Sequence, residues 1–234
     1  MTEAEWQTAD LEAKLQFLWG TTSERKLRLF ACACCRSIWD YIEAPAARRA
    51  IEVAERFADG QASKRELADA QRQLAGCIKE NLDGLAHDAE TGEVCDGLLA
   101  AQFVVSPRLS VATLCATAAH ATNAITAVLY WHEWNDPGTE SDDAYQEGIQ
   151  QANLLDDIIG NPFRPEAVSR RWLSATVVSL ARAIYDEGQF QNLPILADAL
   201  EDAGCEQQNL FQHCRQPGDH ARGCWAVDLL LGKE

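Results

Sequence analysis

Apolar residues recur at spacings of three and four along nearly the whole chain, and no segment shows the strict alternation of a strand. In TTSERKLRLFACACCRSIWDYIEAP the stripe is Leu27, Phe30, Ala31, Cys34, Ile38 and Trp39, which is one face of a helix. The stop and start signals agree. Thr21 with Glu24 and Ser63 with Glu66 have the spacing of capping boxes, where hydroxyl and carboxylate satisfy orphan amides at a helix start. Ser174 fits an N-cap with Leu173 and Val178 as a hydrophobic staple, while Gly60, Gly160 and Gly204 stand where helices should end. The expected fold class is all-α: a multi-helix bundle with an extended proline-containing connector and a C-terminal helical hairpin.

The connector is NPFRPEAVSRRW, whose two prolines disfavour a helix and whose Phe163 and Trp172 should be buried. It suggests an N-terminal bundle over residues 1–160 and a C-terminal helical subdomain over 161–234, or one continuous domain. Ser106-Pro107 reads as the start of an alanine-rich helix reaching about Trp134.

Charge narrows the partners. At a formal net charge of -16 the chain repels polyanions, so neither nucleic acid nor an anionic membrane is an expected partner. A basic stretch, SERKLRLF with Arg36, Arg48 and Arg49, reads as the solvated side of a helix, with a docking patch as the alternative. MTEAEWQTADLEAK lacks the basic-then-apolar order of a secretory signal. SVATLCATAAHATNAITAVLYW is long and weakly polar, yet His120, Asn123 and four threonines favour a buried helix over a membrane span. Nine cysteines, an odd number, with no export signal point to reduced thiols and a cytoplasmic location.

Chemistry is sought where donor side chains gather. Cys32, Cys34 and Cys35 lie mid-helix among Ala, Leu and Phe, the setting of small buried hydrophobes, and Cys77, Cys95 and Cys115 read the same way. Asp156-Asp157 resembles a magnesium-binding pair of an all-helical enzyme. Gly160 stands where a third acid would be expected, and Asp198 with Asp202 is the other such pair, so both read as solvated faces. His87 has Asp83 and Asp88 nearby, His132 has Glu133, and His120 sits in apolar ATAAHATNA, each a candidate for a hydrogen-bonded core histidine.

The densest gathering is GCEQQNLFQHCRQPGDHARGCW. Cys205, Cys214, His220 and Cys224 make a four-donor set suited to structural zinc, with His213 as an alternative ligand. The turn QPGDH would return the chain, and Asp219 as N-cap of the last helix would place His220 and Cys224 four apart on one face. His213 and Cys214 are adjacent, so a helix cannot easily turn both inward. Two other readings stand beside zinc. One is a catalytic thiol, Cys214 or Cys224 with His220 as base and Asp219 or Asp228 as orienter; the other is a hairpin packed on small residues and Trp225.

The stretches LLDDIIGNPFRP, WLSATVVSLARAIYDEGQFQNLPILADALEDAGC and HCRQPGDHARGCWAVDLLLGK, with RKLRLFACACCRSIWDYI near the start, resemble a large family of bacterial proteins without an assigned activity. The resemblance implies a recurring whole-protein type and carries over no substrate, cofactor or catalytic residue. The reading is therefore a non-enzymatic cytosolic module that contacts a protein partner, with a C-terminal zinc or thiol-rich clip. Trp6, Trp19, Trp131 and Trp134, near helix ends, are candidate interface anchors. The alternatives are a Cys-His hydrolase at the C-terminus and a magnesium-dependent enzyme around Asp156-Asp157.

Overall fold

The computed structural model describes the backbone of residues 1–85, 92–132 and 140–233, and the side chains of 1–81, 96–124 and 146–233. His87, Asp88, Glu133 and Trp134 lie outside the described residues, as do the side chains of Asp83, Cys95, Trp131 and His132. Among the described residues every regular element is helical. They are α1 (Glu3–Thr8), α2 (Leu11–Leu18), α3 (Glu24–Ser37), α4 (Pro45–Ala58), α5 (Lys64–Leu85) and α6 (Gly92–Val104), followed by α7 (Val111–His132), α8 (Glu140–Ile159), α9 (Ala175–Glu187), α10 (Leu193–Asp202), α11 (Gln208–Arg215) and α12 (Trp225–Leu231). No described helix is long and apolar enough to cross a membrane.

The chain divides into two compact units, Met1–Ala152 and Asn153–Glu234, so the division falls inside α8. In the first unit α3 packs on α4, α6 and α7, and α6 packs on α3, α4, α5 and α7. Every residue from Leu27 to Cys35 is buried. The run Ala31, Cys32, Ala33, Cys34, Cys35 explains how three neighbours approach so closely, because these side chains are small and carry no obligate hydrogen bond. Cys77 and Cys115 are half-buried rather than core residues.

Several local signals act as the sequence suggests. Ser63 and Glu66 form a full capping box, and Gly60 and Gly204 take positive φ just past α4 and α10. Others shift. Ser23, not Thr21, caps α3 by accepting from the Lys26 amide, because the Thr21 hydroxyl donates back to the Leu18 carbonyl at the end of α2. The alanine-rich helix starts after Ser110, which forms a box with Thr113, while Ser106-Pro107 lies in the preceding turn. The basic run is not a solvated face throughout. Arg28 is 1% exposed and donates to the carbonyls of Val104 and Ser106 at the end of α6. Arg36 pairs with Glu55, and Arg48 donates to the carbonyls of Ile42 and Trp39.

In the second unit α9, α10, α11 and α12 enclose a core that includes Val177, Ala181, Ile184, Leu196, Leu200, Leu210 and Val227. Ser174 caps α9 through the Val177 amide. The proline-containing connector is held to the start of α11, where Gln207 donates to Glu166 and the Ala167 carbonyl, and Asn209 to Glu166. Trp172 is buried as expected, whereas Phe163 is only half-buried.

Candidate metal centre

Three separate stretches of the second unit meet at one point. Asp157 comes from the last turn of α8, His213 from the last turn of α11, and His220 and Cys224 from the loop that leads into α12. One donor atom from each lies within 4.8 Å of the other three. The Asp157 Oδ1 is 2.6 Å from His220 Nδ1 and 3.2 Å from His213 Nε2, which is itself 3.0 Å from the Cys224 Sγ. The Ala221 amide donates to the second oxygen of Asp157 at 3.0 Å.

Backbone geometry explains the convergence. Gly160, at φ +72, ends α8 one residue past Ile159 and lets the Trp225 ring lie against its bare backbone. A Cβ there would sit 2.9 Å from the ring's Cγ. Gly160→Ala should therefore cost about 2 kcal/mol or more through left-handed strain and overpacking, read as a lower urea midpoint. After α11 the chain turns through Pro217 and Gly218, and a turn closed by the Cys224 amide on the Ala221 carbonyl precedes α12.

The site is nearly closed to water. Asp157 and His220 side chains are 4% and 11% exposed, His213 is 15% exposed, and Cys224 is fully buried. Burial raises the Asp157 carboxyl, but hydrogen bonds from His213 and His220 outweigh it and hold the group below its ordinary value. Burial lowers His220, and the bond and charge of Asp157, with a further bond to the Gln216 backbone, more than reverse that. Burial pushes the Cys224 thiol well up, and the nearby Asp157 charge adds to it. A cation between these groups would reverse that direction, since coordination deprotonates a thiol.

The structure brings His220 and Cys224 together with His213, the ligand held as an alternative. Cys205 and Cys214 lie outside the group, in the apolar core. Helix geometry accounts for this. Neighbours on a helix point about 100° apart, so α11 turns His213 to the cluster and Cys214 to the core. Burial there drives the Cys214 thiol up to about 12. Asp219 does not cap the last helix; α12 starts at Trp225, with Cys224 at the N-cap position, and His220 and Cys224 meet through the loop.

Asp157 is the residue the sequence misplaces. It is 5% exposed, not on a solvated face, and its neighbours are two histidines rather than other acids. One signal was present: an acid in the last turn of a helix stands against the helix dipole and calls for a positive or hydrogen-bonding partner. Asp198, by contrast, is an exposed partner of Arg215. Elsewhere, His120 is bonded to Asp96 at 2.7 Å and stacked on Phe103.

The fold and site together define an all-helical protein with a buried Asp/His/His/Cys group that can hold a metal. No protein-family model matches the chain, and neither a curated protein nor a solved structure matches it.

Proposed function

We propose that the carboxy-terminal unit is a zinc-binding helical module, and that the protein acts in the cytosol by contact with another protein rather than by turnover. The observation that carries this reading is the convergence of Asp157, His213, His220 and Cys224 from three stretches, with donor atoms within 4.8 Å of one another. Imidazole, thiolate and carboxylate are zinc's ligand types, and a mixed N, S and O set does not suit magnesium. Zinc bonds in a tetrahedron put donor atoms about 3.3–3.6 Å apart, so the 2.6, 3.0 and 3.2 Å edges present here would open by a few tenths of an ångström or more around an ion. Four protein donors with little exposure leave no open position for substrate, which favours a structural ion. The same burial works against Cys224 as a nucleophile. Exposed Trp19 and Tyr41 supply aromatic surface of the kind that anchors protein contacts.

Native mass spectrometry with elemental analysis on the untagged chain tests the metal. The expected result is one zinc per chain, lost in Cys224→Ser and in Asp157→Asn but kept in Cys205→Ser. Cobalt substitution should give the intense visible bands of a tetrahedral site with a thiolate ligand. A chain that stays metal-free in micromolar zinc and folds unchanged in chelator would remove this reading.

A further inference from the structure

The two histidines of the cluster are not equivalent. A histidine that ligates a metal through one nitrogen normally carries its proton on the other and donates it to an acceptor. His220 fits that rule, with Nδ1 facing the cluster and a further bond to the Gln216 backbone. His213 does not. Its Nε2 faces Asp157 and Cys224, while its Nδ1 lies 3.1 Å from the indole Nε1 of Trp225. An indole N–H can only donate. The His213 Nδ1 must therefore offer a lone pair, and the ring's proton sits on Nε2, on the atom a metal would need.

We propose that Trp225 is a latch on the metal site, holding His213 in the tautomer that cannot ligate and releasing it as zinc enters. The inference rests on the zinc reading above. Without metal, Nε2–H donates to Asp157 or Cys224 and Nδ1 accepts from Trp225. With metal, Nε2 gives its lone pair to zinc and the His213 proton is carried by Nδ1, the Cys224 thiol and the His220 Nδ1 release their protons to water, and the indole N–H loses its acceptor. His213 holds one proton throughout, moved from Nε2 to Nδ1 by exchange with water. The place is confined: the His213 and Trp225 rings are 4.9 Å apart, and the indole is seated on Gly160. The indole therefore acts as a positioning residue that opposes binding and makes occupancy depend on a small movement of one ring.

The test pairs a spectroscopic readout with an affinity. In the metal-free wild-type chain, nitrogen-15 NMR of the His213 ring should show the Nε2–H tautomer. On adding zinc the proton should appear on Nδ1, and the Trp225 indole N–H resonance should move upfield as its hydrogen bond is lost. Trp225→Phe, which keeps an aromatic ring but not the donor, should bind zinc about tenfold more tightly, the factor for one neutral hydrogen bond. An Nδ1–H tautomer in the metal-free chain overturns the latch, as does equal or weaker binding by Trp225→Phe while the wild type still takes up zinc. Failure of both proteins to bind zinc removes the site reading itself and the latch with it. If Trp225→Phe does not fold, the wild-type tautomer shift alone decides.

Discussion

Replacing Asp157 with alanine is expected to destabilise the carboxy-terminal unit by about 3–5 kcal/mol, the range for removing one partner of a buried pair. Three donors converge on this carboxylate, from His213, His220 and the Ala221 amide. Without it they face each other in a nearly closed space. Asp157→Asn should lose less, since one oxygen remains, although its new N–H₂ group must face a donor. Urea denaturation of the metal-free chain measures the difference, and a loss below about 1 kcal/mol would mean the pair is not coupled to folding.

The same variant should flatten the pH dependence of stability. His220 is raised in the folded chain, so its contribution is complete below its ordinary 6.5 and is lost as pH rises through the folded value. Asp157 is lowered, so its contribution is complete above 3.8 and is lost as pH falls through the folded value. The gap in stability between wild type and Asp157→Ala should thus be widest between pH 3.8 and 6.5 and narrow on both sides. A gap that keeps growing above neutrality would contradict the pairing.

The second large effect is expected in the other unit. Arg28→Ala should cost about 3–5 kcal/mol, because it orphans two carbonyls and opens a cavity. Arg28 bonds the Val104 carbonyl at 2.6 Å and the Ser106 carbonyl at 2.9 Å, capping the end of α6 from outside the helix. Its remaining bond, to Glu24, reaches an exposed carboxylate and contributes little. Arg28→Met fills most of the volume but donates nothing, so it should recover only the cavity share, leaving a loss of about 2–3 kcal/mol. A methionine variant as stable as wild type would show that the carbonyls find water instead.

These two residues mark where sequence reasoning stops. Helices with one apolar stripe, such as α4 and α9, were legible because their period is a local property. Helix α6 was not, because α3, α4, α5 and α7 all pack on it and GEVCDGLLAAQFV has no polar face to set the period. Arg28 sits in a run of charges, and nothing within that run reveals the carbonyls 76 and 78 residues away. The candidate centre was half legible. His213, His220 and Cys224 stand close together in sequence, so their density was visible, but Asp157 lies 63 residues from His220. By spacing alone Cys205 and Cys214 fill the missing position, and only the fold of α9 and α10 brings the acid there instead.

That separation also has a consequence for the order of synthesis. A nascent chain extended only through α10 holds Asp157 without any of its three donors, since all lie further downstream. Until α11 and the loop beyond it are made, burial of that carboxylate has none of these hydrogen bonds to offset its desolvation. A chain interrupted before His213 therefore carries an uncompensated acid where the full sequence carries a clasp.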